Sequence, residues 1–449
     1  MTTFPRRFVA PLLVGSALNP VNSALIAVAL VPIAEAMRVP PGRTAVLVAA
    51  LYLASAVAQP TAGKLADEFG PRRVFLAGIL LVLAGGALGG FAQDLPTLVA
   101  ARALVGVGTS AGYPTAMLLI RRRASAAGLT EPPGGVLGAL SIAGQVTAAV
   151  GPPLGGLLVG AAGWRATFLV NIPAGLAALA MVLSWVPKDP PLARGTGAVS
   201  RVDPIGIAGF AGALTALLVF LMSLPDPDWI ALGIAVVLGT ALVRWELRAA
   251  NPFFDVRLLR SNAPLSRTYA RNGLTLLGSY TVLFGLTQWF EAGRGLTAGQ
   301  AGLLVLPMSG LAAIVSIPVS RRGSIRGPLI VAAVSSLLAS TGLLFLDSGT
   351  AIAAIAGVAL LFGIALGTSA VSNQAALYAQ APASGVGTAS GLFRTFTYLG
   401  TIASATITGI VFRTGVTDGK LHTIAVVLIL ISAVVALMTV TDHALKELA

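Results

Sequence analysis

Apolar runs long enough to cross a lipid bilayer recur along the whole sequence, and they restrict the fold more than any other feature. A helix needs about 20 mostly apolar residues to span a hydrocarbon core of about 30 Å. Only 10% of the 449 residues are charged, against about 25% in soluble domains, and the mean hydropathy is +0.89. The sequence therefore predicts an all-α polytopic membrane protein.

Glycine, proline and charged residues separate the apolar runs and indicate where the helices end. The predicted transmembrane helices, fourteen in number, lie near residues 9–33, 45–66, 74–92, 96–120, 134–161, 164–186, 204–225, 228–245, 266–290, 298–319, 327–346, 350–375, 388–412 and 421–441. Longer polar segments set helices seven and eight apart. We therefore expect an N-terminal six-helix bundle (1–186), linkers with two accessory central helices (187–265) and a C-terminal six-helix bundle (266–449).

The basic residues favour one orientation in the membrane. With both termini in the cytoplasm, 21 of the 29 lysines and arginines lie in inner segments and 6 in outer segments, while Arg102 and Arg394 fall inside helices. This bias agrees with the positive-inside rule. Because the net charge of +13 is spread over inner loops that face anionic lipid, we expect membrane lipid and not nucleic acid as its partner.

The residue types exclude several kinds of chemistry. Without cysteine the chain has no disulfide and no thiolate site, and its two histidines both lie near the C-terminus. It contains no G-x-x-x-x-G-K-[ST] loop and no H-E-x-x-H pair. We therefore expect no enzyme, no catalytic residue, no metal site and no cofactor.

Residues 63–73, GKLADEFGPRR, place five charged residues in a short turn between helices two and three. A tight inner turn collects basic residues by itself, but this reading does not predict Asp67 or the second glycine, Gly70. The stretch resembles the loop signature G-x-L-a-D-r-x-G-r-r of the major facilitator superfamily. Glu68 and Pro71 stand where that signature has basic residues. A second stretch without an acid, PVSRRGSIRGP (318–328), follows helix ten in the same way.

The resemblance implies a transporter with two rocking halves. Its cytoplasmic gate would comprise Gly63, Asp67, Gly70, Arg72 and Arg73. The Asp67 carboxylate is expected to pair with a basic residue and with the N-terminal end of a helix from the other half, where a negative charge is favourable. This contact would hold the gate shut when the transporter faces outward.

Helix four carries Arg102 in ARALVGVGTSAGYP (101–114). An arginine within an apolar helix is costly unless it is paired or hydrated, and is therefore a candidate functional residue. The alternative is that its side chain extends to the outer surface. The spacing R-x-x-x-G-x-G resembles the superfamily's helix-four motif, whose arginine is associated with proton coupling.

Helix five contains GPPLGG, which matches the G-P-x-x-G-G core of a motif typical of the superfamily's exporters. The matching residues are Gly151, Pro152, Gly155 and Gly156. Close helix packing through glycine is the alternative explanation. The resemblance favours efflux.

Three further strings resemble the fourteen-helix drug:proton antiporter branch of this superfamily. They are GWRATFLVNIPAG (163–175), DPIG (203–206) and WELRAANPFFDVRLL (245–259). The resemblance therefore extends over the whole chain in motif order.

Polar residues within the predicted helices are candidates for lining a central substrate cavity. They are Asn19, Asn22, Gln59, Gln145, Tyr280, Gln288, Asn373 and Arg394. Hydrogen bonding between helices explains most of the amides equally well. Arg394 lies near the cytoplasmic end of its helix, and the alternative is that its side chain reaches the membrane surface there.

Proton coupling requires a carboxylate that water can reach. No carboxylate lies deep in a predicted helix, and Glu291, near an outer end, is the first candidate. An ordinary interfacial charge is the alternative.

We therefore expect a secondary exporter of amphipathic small molecules in a bacterial inner membrane, acting by proton antiport. An exporter of lipid, metabolite or neutral solute, or an uncoupled facilitator, would share this fold. A non-transporting membrane sensor or scaffold is the alternative from another class.

Overall fold

The computed structural model describes residues 4–39, 44–129, 131–191, 202–224, 226–250, 252–253, 256–296, 298–382 and 385–445. Every regular element in these ranges is a helix. The N-terminal helices are α1 (Arg6–Leu25), α2 (Leu30–Met37), α3 (Ala45–Phe69), α4 (Pro71–Gly90), α5 (Leu95–Ser110), α6 (Gly112–Ala126), α7 (Gly134–Ala162), α8 (Ala166–Leu169) and α9 (Asn171–Trp185).

Three helices follow in the middle of the chain, and six further helices form its C-terminal part. The middle helices are α10 (Pro204–Ser223), α11 (Trp229–Glu246) and α12 (Val256–Ser261). The C-terminal helices are α13 (Ala263–Gln288), α14 (Ala298–Arg322), α15 (Arg326–Gly342), α16 (Ile352–Gln380), α17 (Val386–Phe412) and α18 (Asp418–Thr441). A π-helical turn, Trp289–Gly293, extends α13.

Twelve stretches of helix within the described ranges are long and apolar enough to cross a membrane. Two other long helices, α7 with 29 residues and α13 with 26, are not among these twelve. The first turns of α13 carry Arg267 and Arg271, which lower its hydropathy.

The charged stretch 63–73 is almost entirely helical. α3 continues to Phe69 and α4 begins at Pro71, so only Gly70 separates them, with φ of +99°. A glycine adopts this backbone conformation at no steric cost, and proline is favoured at the first position of a helix. Asp67 therefore lies on the last turn of α3, whereas the sequence predicted that it lies in a turn.

The N-terminal and C-terminal helices meet chiefly where α3 packs against α17 and where α7 packs against α14. α10 and α11 pack against each other, and α10 also contacts α3 and α17. We call the end of the molecule where α3 ends and α4, α7 and α17 begin the Asp67 end.

Hydrophobic packing differs between the two ends of the molecule. At the Asp67 end a single buried cluster combines residues of both halves, including Phe8, Met117, Tyr378 and Phe393. At the opposite end one cluster contains only N-terminal residues and another only C-terminal residues. The two halves are thus packed together at the Asp67 end.

Candidate functional site

The Asp67 carboxylate caps the N-terminus of α17 across the interface between the halves. It accepts hydrogen bonds from the backbone N–H groups of Gly387 (3.2 Å) and Thr388 (3.0 Å) and from the Thr388 hydroxyl (3.0 Å). The first N–H groups of a helix have no partner within the helix, and its N-terminus favours negative charge. The carboxylate thus satisfies two of these donors from a residue 320 positions away.

Glycine makes this close approach possible. A Cβ atom on Gly63 would lie 2.1 Å from the Gly387 carbonyl oxygen, and one on Gly387 would lie 2.6 Å from the Gly63 carbonyl oxygen. Any side chain at either position would therefore separate α3 from α17. This contact and the Asp67 cap close the same end of the interface.

The two arginines of the predicted gate, Arg72 and Arg73, donate hydrogen bonds to the N-terminal half and the linker but to none of the described residues of the C-terminal half. Asp189, which the sequence did not single out, accepts hydrogen bonds from the backbone N–H groups of Arg72 (3.3 Å) and Arg73 (2.8 Å). Arg122 lies 3.7 Å from the same carboxylate. The sequence predicted two partners for Asp67, a basic residue and a helix N-terminus. Among the described residues Asp67 contacts the helix N-terminus and forms no ion pair.

Near the middle of the molecule, Tyr398 of α17 joins two predicted cavity residues. Its hydroxyl donates to the Asn19 side-chain oxygen (2.7 Å) and accepts from the Gln59 amide (3.0 Å). Asn19 also donates to Ser55 and Thr109, both at 2.9 Å. Asn19 and Gln59 therefore connect α1 and α3 to the opposite half.

Hydrogen bonds between the halves are concentrated from the middle of the molecule to the Asp67 end. Besides those above, Thr395 donates to the Ala56 carbonyl (2.8 Å), Arg121 donates to the Tyr378 carbonyl (3.1 Å), and the Tyr378 hydroxyl donates to the Met117 carbonyl. The two halves are thus joined from the middle of the molecule to the Asp67 end.

A cavity of about 190 Å³ lies between the halves. Its lining is mainly apolar and aromatic, with Tyr113, Tyr280, Phe393 and Arg394 among the larger side chains. The Arg394 guanidinium lies 4.2 Å from the centre of the Tyr113 ring. Of the predicted cavity residues, Tyr280 and Arg394 thus do line the space.

Two predicted cavity amides serve other contacts. Asn22 of α1 and Asn171 of α9 exchange two hydrogen bonds, of 2.7 and 2.9 Å, within the N-terminal half. Asn373 accepts from the Nε of Arg271 at 2.8 Å. Both side chains therefore hold neighbouring helices together and lie apart from the cavity lining.

The remaining candidates divide into exposed residues and side chains that the structure does not describe. Gln288, the last residue of α13, and Glu291, in the π-helical turn after it, are exposed at the end of α13 opposite the Asp67 end, away from the lining of the cavity. The side chains of Gln145 and Pro152 lie outside the described part of the chain. Among the described residues no group of histidine or acidic side chains could hold a metal ion.

Arg102 is buried between α1 and α3, with 3% of its surface exposed. Its Nε donates to the Leu47 carbonyl (3.1 Å) and its Nη1 to the Asn22 carbonyl (3.2 Å). The remaining nitrogen, Nη2, has no partner among the described residues. The side chain therefore points inward and does not extend to the surface.

The helix-five glycines let α7 approach α1 closely. A Cβ atom on Gly151 would lie 2.2 Å from the Ala24 Cβ, and one on Gly155 would lie 2.8 Å from the Leu25 carbonyl oxygen. Gly156 faces open space. Two of the three described motif residues thus have a packing role.

A buried ion pair in the C-terminal half went unnoticed in the sequence. Arg271 of α13 contacts the Asp442 carboxylate at 3.3 Å, and both side chains are fully buried. Arg267 contacts the other carboxylate oxygen at 3.3 Å. This pair ties the start of α13 to the end of α18.

The sequence profile of the Major Facilitator Superfamily matches residues 12–405. YwoD, an uncharacterized MFS-type transporter of Bacillus subtilis (strain 168), is 34% identical over 446 residues, which is 97% of this chain and 96% of that protein. The tetracenomycin C resistance and export protein of Streptomyces glaucescens is 31% identical over 381 residues, covering 82% of this chain and 68% of that protein.

Among solved structures, the proton:xylose symporter XylE, a major facilitator superfamily protein, superposes with a TM-score of 0.66. The match covers 97% of this chain and 95% of that one at 13% identity, so it concerns the fold alone. The profile and the 34% identical relative show the family, and the fold agrees with it. This chain therefore belongs to the Major Facilitator Superfamily of membrane transporters.

Proposed function

We propose that this protein is a secondary exporter of amphipathic small molecules that works by alternating access between its two halves. The observation that carries the proposal is a mainly apolar cavity between two halves that are closed at the Asp67 end. Similarity to a resistance and export protein supports efflux as the direction. The small-molecule substrate would enter when the Asp67 end opens.

The proposed architecture has fourteen transmembrane helices. At 1.5 Å per residue, α7 and α13 would be about 40 Å long, more than a hydrocarbon core of about 30 Å, and would join the twelve apolar stretches. Residues 1–186 and 266–449 would form the two bundles, with α10 and α11 as accessory helices between them. This count is that of the drug:proton antiporter branch.

The proposed location is the inner membrane of a bacterium, with both termini and the Asp67 end in the cytoplasm. The distribution of basic residues between the two sides supports this orientation, because cytoplasmic segments attract lysine and arginine. The bacterial relatives support the organism class.

Proton antiport is the proposed driving reaction, with Arg102 and Glu291 as the candidate coupling residues. A specific observation favours uncoupled facilitation as a second candidate: the described lining of the cavity contains no carboxylate. A coupling carboxylate must be accessible to water and able to change its protonation between states. Glu291 is exposed but lies away from the cavity.

The test uses purified protein in liposomes with an imposed pH gradient. Internal pH and the accumulation of a panel of lipophilic dyes and antibiotics are followed together, for the wild type, Arg102→Ala and Arg102→Lys. Antiport predicts substrate-dependent proton flux that Arg102→Ala abolishes. Dye movement that ignores the gradient would leave the facilitator, and no movement of any compound would favour a sensor or scaffold.

A further inference from the structure

Arg394, which is half-buried, differs from the buried Arg102 and Arg271 because none of its nitrogens donates a hydrogen bond to a described residue. Arg102 donates to two backbone carbonyls, and Arg271 donates to Asp442, Asn373 and Thr268. Arg394 contacts the face of Tyr113, yet its buried Nε has no hydrogen-bond partner among the described residues. A buried polar group left without a partner in a native protein calls for an explanation.

A second unsatisfied donor lies beside it. The Tyr113 hydroxyl is buried and also has no partner among the described residues. Both side chains line the cavity between the halves, and the described lining contains no aspartate or glutamate that would neutralise the guanidinium. The cavity therefore combines one uncompensated positive charge with an apolar wall that includes Tyr280 and Phe393.

On the basis of the proposed function, we propose that the exported substrates are amphipathic organic acids, whose anionic group binds Arg394 and Tyr113. A carboxylate accepts hydrogen bonds from a guanidinium in a planar, charge-assisted geometry, and a phenol hydroxyl can donate to the same group. An aromatic body would pack against Tyr280 and Phe393. Pockets for drug-sized ligands measure about 300–1,000 Å³. The cavity of about 190 Å³ therefore favours small acids.

The test compares three compounds that share one ring system and differ in charge: 2-naphthoate, neutral 2-naphthamide and cationic 2-naphthylmethylammonium. Binding to the purified protein is measured by titration calorimetry at pH 7, and radiolabelled compounds are followed in proteoliposomes. Variants are Arg394→Gln, Arg394→Lys and Tyr113→Phe. Arg413→Gln serves as a matched control, because Arg413 is exposed and pairs only with Asp226 among the described residues.

The expected result is that the wild type binds 2-naphthoate at least tenfold more tightly than the other two compounds. Arg394→Gln should weaken binding of 2-naphthoate by about tenfold to hundredfold, the range for hydrogen bonds to charged groups, and leave 2-naphthamide unchanged. Arg394→Lys should retain part of the preference, Tyr113→Phe should reduce it less, and Arg413→Gln should not alter it.

Two results would overturn the inference. Equal loss of all three compounds in Arg394→Gln, with the fold intact by circular dichroism, would assign Arg394 to packing. Tighter binding or faster transport of the cation or the amide by the wild type would contradict an acidic substrate and leave the exporter proposal standing. Failure to move any of these compounds or any dye of the panel would refute both proposals.

Discussion

The two halves carry equivalent helix–helix contacts at the Asp67 end, and only one of them contains a charge. α3 ends just before Gly70 (φ +99°) and α14 ends just before Gly323 (φ +68°). Three residues before each glycine stand Asp67 and Ser320. Asp67 caps the start of α17, whereas Ser320 lies against Gly134 and Gly138 at the start of α7 and donates its hydroxyl to Ile317 in its own helix.

This difference indicates that the two contacts close the interface in different ways. The α7–α14 contact depends on shape, because a Cβ on Gly138 would lie 2.1 Å from the Ser320 Cβ. The α3–α17 contact adds an ionised acceptor on backbone donors, an interaction that is roughly twice as strong as a neutral hydrogen bond. We infer that the α3–α17 contact contributes most to the stability of the closed state, and four substitutions test this.

The largest effect is expected for Gly63→Ala. Its Cβ would meet the Gly387 backbone, which cannot rotate away, so α3 and α17 must separate at a cost of about 3 kcal/mol, the upper range for overpacking. Because the chain has no cysteine, spin labels at Ala127→Cys and Arg322→Cys report the distance across the Asp67 end. That distance should lengthen.

The matched control for Gly63→Ala is Gly160→Ala. Gly160 faces open space on α7, so a methyl group there should leave the spin-label distance unchanged. A closed, wild-type distance in Gly63→Ala would show that the glycine contact is unimportant.

Asp67→Asn should come next. The amide keeps the size of the side chain and removes the negative charge from the α17 N-terminus, which costs about 1–2 kcal/mol in a partly buried geometry. The population closed at the Asp67 end should fall about tenfold relative to the open one, as measured with the same labels. Asp67→Glu keeps the charge, so its closed population should lie between those of the wild type and Asp67→Asn. An unchanged population in Asp67→Asn would contradict the role of the carboxylate.

Gly138→Ala should destabilise the α7–α14 contact, at a smaller cost of about 1–2 kcal/mol. Its Cβ meets the side chain of Ser320 and not backbone, so Ser320→Gly in the same chain should restore the closed distance. No such partner exists for Gly63→Ala. Failure of the double variant to recover would mean that the α7–α14 contact is held by something other than this packing.

The smallest effect is expected for Ser320→Asp, which introduces a carboxylate where the second contact lacks one. Near the first N–H groups of α7 it should stabilise the closed state by about 0.5–1 kcal/mol. The clearest measurement is made in an Asp67→Asn background, where it should recover part of the lost closed population. A further decrease would indicate an unpaired buried charge.

The sequence predicted the apolar helices well, because membrane-spanning length and hydropathy are local properties. It predicted less of the contacts between them. The contact between Asp67 and a helix N-terminus could be predicted only from the family resemblance, because the partners of Asp67 lie 320 and 321 residues away in the sequence. Arg271 and Asp442, 171 residues apart, were missed because each looked like a residue of a loop or helix end.

The cavity was predicted in part, because a polar residue in an apolar helix does not reveal which neighbour it faces. Arg394 and Tyr280 line the cavity, but Asn22 and Asn373 are used by Asn171 and Arg271. These outcomes depend on how α1, α9, α13 and α16 pack. The charge of Arg394 was visible in the sequence, whereas its lack of a partner required the structure.

The most direct test of the account is a reversible cross-link across the Asp67 end. In the cysteine-free chain, Gly138→Cys and Ser320→Cys place two thiols where a Cβ on Gly138 lies 2.1 Å from that of residue 320, and a disulfide needs only a small separation to about 3.8 Å. If transport requires this end to open, the oxidised protein in liposomes should move no substrate, and reduction should restore transport to the level of the single Gly138→Cys variant. Full transport by the disulfide-linked protein would contradict the account.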